Sequence, residues 1–410
     1  MEGCQVRVLL IGVDSLYLSY YGEIDPHVDF EISGKKLQAQ NRDPKERALA
    51  QWEVQGHIFE VSDRGQRGVG HGGFAYVLED KAFRIALSSS GSRALPLGYV
   101  KISSEYLAHV GPVAAVDELN AIMVTLGNAD ATPTVSRVDL YVDFQSDIEM
   151  EGWPRAAWVT RSGSINTYSV RGEFSGYTVG QGGPISCRLY NKSLEILKSH
   201  KTYFVELWKR SGMDPNRRVW RLEFQAVREV LHQLGIQSFK GLMRELGGIW
   251  AYATQTWLRL AVPQTGDSNR ARWPTHPLWA RLAGIQWSTA DTSLARTFSP
   301  ARIPSLDRLF RLYLALLTSF IASNRVKDKP SLWEFAEGQA EFIKQAQQFH
   351  ELRCKEYLSI GLEDYVAQEV ALKARQYNTL RNVRSVKRDA ETSDKVDRDA
   401  TDYYRASRGE

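Results

Sequence analysis

Between Thr134 and Phe144 the chain alternates with a period of two. Val138, Leu140, Val142 and Phe144 fall on one side, and Arg137, Asp139, Tyr141 and Asp143 on the other. Side chains of an extended strand point alternately to opposite faces, so this strand buries one face and presents two carboxylates on the other. Two later segments repeat the pattern. In Val219–Val227 the apolar set Trp220, Leu222, Phe224 and Ala226 opposes Arg221, Glu223 and Gln225. In Pro184–Lys192 Ile185, Cys187 and Leu189 oppose Ser186, Arg188, Tyr190 and Lys192. If the three strands share a sheet, one face carries Asp139, Asp143 and Glu223 beside Tyr190, Arg188 and Lys192.

Carboxylate oxygens gathered in this way are hard ligands suited to Mg²⁺ or Mn²⁺. A divalent ion there polarises a phosphodiester, and a neighbouring tyrosine serves as nucleophile. Arg188 would grip phosphate oxygens as a fork and Lys192 as a point charge. The same alternation also suits a sheet with one solvated face, where opposite charges pair across strands. Pattern alone does not choose between the two readings, nor does it show that the strands are neighbours.

The remainder of the first 260 residues mixes strands with fewer helices. Val6–Ser19 reads as one long bent strand or a strand pair. His57–Ser62, Phe74–Leu87, Gly98–Ser103, Asn166–Arg171 and Gly176–Gly180 read as strands. Pro112–Leu126, Ser193–Arg210 and Ser238–Leu260 read as helices, the last capped by Ser238. The fold class is therefore α+β, a mostly antiparallel sheet with flanking helices followed by a helical C-terminal region. The expected division is a catalytic domain over 1–260, a Pro-, Arg- and Trp-containing linker or arm over 261–303, a helical region over 304–380 and a charged tail over 381–410. Within the arm, Arg270, Arg272, Arg281, Arg296 and Arg302 with Trp273, Trp279 and Trp287 either contact nucleic acid or anchor the segment to the body. Ser331 and Glu334 form a capping box for a later helix. Gly68, Gly70, Gly72 and Gly73 precede a strand rather than a helix, so they make a hairpin connection and not a phosphate loop, with His71 exposed and idle.

A net charge of +4 over 410 residues permits a nucleic-acid partner without requiring one. The three cysteines, Cys4, Cys187 and Cys354, are too scattered for a zinc site or a disulfide framework and read as idle thiols. Val6–Val13 is apolar but short and interrupted by Asp14, and Leu309–Phe320 contains Arg311 and is too short to span a bilayer, so no membrane partner and a cytoplasmic location are expected.

Several short motifs occur in a telling order. Gly12-Val13-Asp14 opens the chain, and Ser136-Arg137-Val138-Asp139-Leu140-Tyr141-Val142-Asp143 follows. Then come Gly176-Tyr177-Thr178-Val179-Gly180, Arg188-Leu189-Tyr190-Asn191-Lys192 with Glu195, and Trp220-Arg221-Leu222-Glu223. Over roughly residues 8 to 260 this set resembles the replication initiation factor family, the trans-acting rolling-circle initiators of plasmids and phages together with related conjugative relaxases. The resemblance implies a tyrosine-dependent DNA nickase and strand transferase, an endonuclease with topoisomerase-like chemistry. It would act on supercoiled or double-stranded DNA at an origin, through a 5′-phosphotyrosine and with a divalent metal. By motif, Tyr190 is the nucleophile, Lys192 and Arg188 the phosphate-side residues, and Asp139, Asp143 and Glu223 the metal set. Tyr141 ranks second as nucleophile, and Tyr168 and Tyr177 are further rivals. The His-hydrophobe-His pair of other rolling-circle nickases is absent, so the metal set rests on carboxylates. A helicase and a second copy of the chain are candidate partners. A conjugative relaxase with the same chemistry, or a DNA-binding regulator without catalysis, are the alternatives.

Overall fold

The computed structural model describes residues 5–43, 47–67, 73–92, 95–287, 306–324 and 332–376. The chain divides into two compact units. The first contains the described residues through Gly34 and from Glu53 to Trp287, and the second those of Lys35–Trp52 and of Leu306–Gln376.

In chain order the strands are β1 (Val6–Tyr20), β2 (Gln51–Val54), β3 (His57–Val61), β4 (Gln66–Arg67), β5 (Gly73–Phe74), β6 (Tyr76–Glu79), β7 (Phe83–Leu87) and β8 (Gly98–Ile102). They continue as β9 (Thr134–Ser146), β10 (Trp158–Thr160), β11 (Ile165–Val170), β12 (Glu173–Val179), β13 (Ile185–Asn191), β14 (Trp220–Val227) and β15 (Leu258–Leu260). Eleven of them form one sheet in the order β11-β12-β13-β14-β9-β1-β8-β7-β6-β3-β2. The ladders around its centre are antiparallel, and the class is α+β. The most strongly alternating segment, β9, lies near the middle of the sheet. There both edges of the strand are hydrogen-bonded and one face is apolar.

That apolar face is covered by helices. Gly98 of β8 leaves room for Met123 of the helix Ser104–Leu126. Phe224 of β14 meets Trp250, Trp257 and Trp279 edge-on at 5.3, 6.3 and 6.4 Å. Large aromatic rings in such T-shaped contacts dominate the energy of a core. Ser104–Leu126 is the one helix among the described residues long and apolar enough to cross a membrane. Its buried residues, among them Leu119, Ile122 and Met123, belong to this core.

Several element boundaries differ from the sequence expectation for local reasons. The helix read from Pro112 is preceded by a further helical stretch that starts at Ser104, where the Ser103 hydroxyl accepts from the Tyr106 amide at 3.2 Å, and the two are separated at Gly111, whose φ of 78° and ψ of 161° are not helical. Within Phe74–Leu87, Tyr76–Leu87 is a tight hairpin, closed where the Asp80 carboxylate accepts from the Ala82 and Phe83 amides at 2.8 and 2.7 Å, while Phe74 pairs with Gln66 in a separate two-stranded sheet. Ser193–Arg210 is two helices, Lys192–Ser199 and Tyr203–Arg210, broken where His200 takes a left-handed conformation. Ser238 caps its helix as expected, accepting from Gly241 at 3.1 Å, but the helix ends at Ala251 and a π-turn leads to β15. Beyond it, residues 261–287 lie on the body. Trp279 donates to the Thr254 carbonyl at 2.8 Å and Arg270 to the Ala156 carbonyl at 2.9 Å. Arg296, Arg302, Ser331, Cys4, His71, Gly68, Gly70, Gly72 and the tail over 381–410 lie outside the described residues, while Cys187 and Cys354 are buried free thiols.

The second unit contains the helices Leu306–Asn324, Leu332–Arg353 and Leu362–Gln376. The first two meet through Phe320 and Phe342, whose ring centres are 5.3 Å apart, and Ile321 packs over Gly338.

At the far end of the sheet from the alternating strands, His57 is buried between two carboxylates. Its Nδ1 lies 2.6 Å from Asp80 and its Nε2 2.5 Å from Glu118, which also accepts from Tyr106. Burial depresses the imidazole pKa, but the hydrogen bonds and charges of Asp80 and Glu118 outweigh it and carry it up to about 9. A folded pKa above the unfolded value stabilises the protein fully below the unfolded pKa of about 6.5, and this stabilisation disappears as pH rises through the folded value. With Glu118 partly exposed, the loss is on the order of 2 kcal/mol. Denaturant unfolding of wild type should weaken by that amount between about pH 6.5 and 9.5, whereas His57→Gln should begin less stable and lack this component.

Candidate active site

Register places the three alternating strands side by side. Tyr190 faces Arg221, which faces Asp143; Arg188 faces Glu223, which faces Tyr141; Ser186 faces Gln225, which faces Asp139. Directly opposed residues in antiparallel ladders share a face. Tyr190, Arg188, Asp139, Asp143 and Glu223 therefore stand on one side of the sheet, opposite the helix-covered core.

β1 adds a carboxylate to this side. Register shifts between Val13 and Ser15, so an extra residue is inserted and Asp14 is aimed at Arg221. Gly12, two residues earlier, is needed for close approach, since a Cβ there would lie 3.1 Å from the Tyr141 ring.

Alternation did not reveal that this polar face is roofed. The helices Lys192–Ser199 and Tyr203–Arg210 bring Ile196, Phe204, Leu207 and Trp208 into a cluster with Tyr141, Leu9 and Val219. The first helix starts directly from β13 because the Asn191 side chain accepts from the Leu194 amide at 3.1 Å. Beneath the roof Arg221, Lys192 and Asp143 are all 0% exposed, and Asp14, Asp139, Glu195 and Glu223 are buried as well.

Buried charges persist only when paired, and here the pairing is dense. Arg221 reaches Asp143 through Nε and Nη2 at 2.6 and 2.8 Å and Asp14 through Nη1 at 2.6 Å. Its guanidinium lies 3.8 Å from the Tyr141 ring centre and 4.4 Å from that of Phe204. Trp208 donates its indole N–H to Asp143 at 2.9 Å. Arg137 forks onto Asp139 at 2.8 and 2.5 Å. Arg188 donates to Glu223 at 3.1 Å and to Gln225 at 3.2 Å.

Tyr190 sits at the mouth of this network, half-buried. Its hydroxyl donates to Glu223 Oε2 at 3.0 Å and accepts from Lys192 Nζ at 3.5 Å. Lys192 is held in turn by Glu195, 2.5 Å away. Burial raises the Glu223 pKa, Arg188 opposes the shift, and the negative charges of Asp14 and Asp139 add to it. For Lys192, burial and the neighbouring Arg221 lower the ammonium pKa against the pull of Glu195. The phenol thus has a carboxylate of raised basicity on one side and an ammonium on the other. Such an arrangement can remove the phenolic proton and balance the resulting charge.

The other tyrosines are placed differently. Tyr141 is 4% exposed beneath Arg221, and burial drives its pKa far up. The Tyr177 hydroxyl accepts from the Trp153 amide at 3.3 Å, and that of Tyr168 donates to Gln181 at 3.1 Å. Tyr177 also faces Leu189 across the ladder, which turns it to the apolar side.

The acidic trio expected to hold a metal stands together, but each member is already bound to a guanidinium. Among the described residues no group of three or more His, Cys, Asp or Glu side chains is arranged to hold an ion. As arranged, the trio does not fit a divalent cation. The sequence reading did not assign roles to Asp14, Arg221, Glu195 and Trp208. The Lys192–Glu195 spacing of three at a helix start was a readable signal for one pair; the β1 bulge left none.

No protein-family model matches the chain, and no curated protein does. Among solved structures the chain is similar to a rolling circle replication initiator protein from Geobacillus stearothermophilus. Identity is 14%, the TM-score is 0.38, and the match covers 68% of this chain and 96% of that one.

Proposed function

We propose that this chain is an origin-specific DNA nickase and strand transferase of the rolling-circle type, acting through Tyr190. The observation that carries the reading is the Tyr190 hydroxyl, 3.0 Å from Glu223 and 3.5 Å from Lys192 on a face that also bears Arg188. In the proposed step the phenolic oxygen bonds to the scissile phosphorus while its proton passes to Glu223 Oε2. The bond from phosphorus to the 3′ oxygen breaks, and that oxygen takes up a proton to become the free 3′-hydroxyl that primes synthesis. The 5′ phosphate stays on Tyr190. Lys192 stabilises the developing phenolate charge, and Arg188 is placed to bind a non-bridging phosphate oxygen. Mg²⁺ or Mn²⁺ belongs to the proposal as the ion expected with this chemistry. Its expected ligands are held by arginines.

The decisive experiment incubates supercoiled cognate plasmid with the protein and Mg²⁺ or Mn²⁺. Nicked circles with protein attached to a 5′ end support the reading, and unchanged topology at every ion concentration refutes it. Glu223→Gln should slow nicking by about 10²–10⁴-fold, the range for loss of a general base. Gly176→Ala is a second probe. Gly176 faces Tyr190 across the ladder at φ 154°, and a Cβ there would lie 2.8 Å from the Tyr190 Cα and Cβ. Displacement of the nucleophile by even about 1 Å should slow nicking by roughly 10²-fold, with single-turnover rates as the measure. Mn²⁺ added without DNA should leave the thermal midpoint of the protein unchanged, since a guanidinium must first be displaced.

A further inference from the structure

The roofed site occupies only part of the polar side of the sheet. At the other end Phe74 of β5 packs over Val77, Ala86 and Tyr99. Between the two covers the register draws a continuous line of side chains. Arg84 on β7 faces Lys101 on β8, Lys101 faces Tyr17 on β1, and Tyr17 faces Arg137 on β9. On β14 Arg137 faces Val227, and the line steps two residues along that strand to Gln225, which accepts from Arg188 on β13, and so reaches Tyr190. Lys101 is exposed, Tyr17 and Gln225 are half-buried, and the side chains of Arg84 and Arg137 are 43% and 23% exposed.

We propose that this furrow holds a single DNA strand and delivers it to Tyr190, an inference that rests on the nicking reading. Two cations, Arg84 (ion-paired to Glu79 at 2.5 Å) and Lys101, lead to the ring of Tyr17 and then to Arg137, and cations with an aromatic ring are the combination that tracks a sugar–phosphate backbone and stacks bases without reading them. Arg137 commits Nε and Nη2 to Asp139, so its Nη1 edge is left for a phosphate oxygen. Its guanidinium lies 5.1 Å from the Tyr17 ring centre, and the Tyr99 ring lies 5.9 Å from Tyr17 on the other side. Tyr17 is thereby held in place between Arg137 and Tyr99, half-buried on this face. From Arg84 to Arg188 the line crosses five strand spacings, roughly 24 Å at about 4.8 Å each. That suits about four nucleotides, the low end of site sizes for single-strand binders. A duplex does not suit the path, since it ends at a hydroxyl half-buried beside two helices.

The test uses the full chain carrying Tyr190→Phe, so that binding is read without cleavage. The probe is a fluorescein-labelled oligothymidylate of about 12 nucleotides, followed by anisotropy at low salt. Lys101→Glu and Tyr17→Ala should each weaken binding by about tenfold or more, Tyr17→Phe should not, and Lys101→Glu should flatten the salt dependence. Lys101 is on the surface, so its variant keeps the test valid should Tyr17→Ala fold poorly. Parent-like affinity in Lys101→Glu and in folded Tyr17→Ala overturns the proposal, as does an equal loss for a duplex of the same length. The two readings fail separately. Wild type that nicks plasmid while the furrow variants bind like the parent removes the furrow alone. Furrow variants that lose the oligonucleotide while wild type never nicks remove the nickase and leave the furrow.

Discussion

Tyr190→Phe is expected to lower the nicking rate by at least about 10⁴-fold, the scale on which removal of a covalent nucleophile acts. The substitution deletes one oxygen. That atom donates to Glu223 and accepts from Lys192, while the ring remains between the same neighbours. Glu223 keeps Arg188 and Lys192 keeps Glu195, so no buried charge is left unpaired. Thermal stability and origin binding should therefore stay within a factor of a few of wild type. The discriminating readout is the covalent adduct: plasmid treated with wild type, denatured and resolved on a gel should carry protein on a 5′ end, and plasmid treated with the variant should not. Adducts that persist in Tyr190→Phe would falsify the assignment. Adducts that then vanish in a Tyr17→Phe variant would move the nucleophile along the same face.

The central sheet was legible because its strands obey a period of two over many residues. β9 and β14 were read within two residues of their ends, and the side of the sheet that each of Arg188, Tyr190, Asp139, Asp143 and Glu223 occupies followed from parity alone. Strand order was not legible. β9 lies between β14 and β1, partners distant in sequence on both sides, and no local pattern encodes such pairings. Nor was the burial of the charged face. Ser193–Arg210 has helical periodicity, but nothing in that periodicity says that the chain breaks at His200 and folds Phe204 and Trp208 over Arg221. The expectation of a wet, acidic face open to a cation gave way to a dry one already supplied with cations. Asp14 escaped for a related reason: β-bulges break parity, and a parity argument cannot foresee where it fails.

The burial of these charges makes Arg221 the residue whose loss should most damage the fold. Its guanidinium donates to Asp143 twice and to Asp14 once, stacks between Tyr141 and Phe204, and is 0% exposed. Desolvation disfavours this charge, but the negative charges of Asp143, of ionised Tyr190 and of Asp14, with the hydrogen bond to Asp143, hold its pKa well above the ordinary arginine value. Removing one member of a buried charge network leaves the others uncompensated, at about 3–5 kcal/mol. Arg221→Met should destabilise the protein by that amount in urea unfolding, with an unchanged m-value if the effect lies in the folded state. Arg221→Lys should recover little, because an ammonium cannot fork onto Asp143 while reaching Asp14 and lying flat against two rings. If the penalty comes from stranded carboxylates, then Arg221→Met combined with Asp14→Asn and Asp143→Asn should be more stable than Arg221→Met alone. A triple variant no more stable than the single one would mean that the guanidinium acts mainly through its packing on Tyr141 and Phe204.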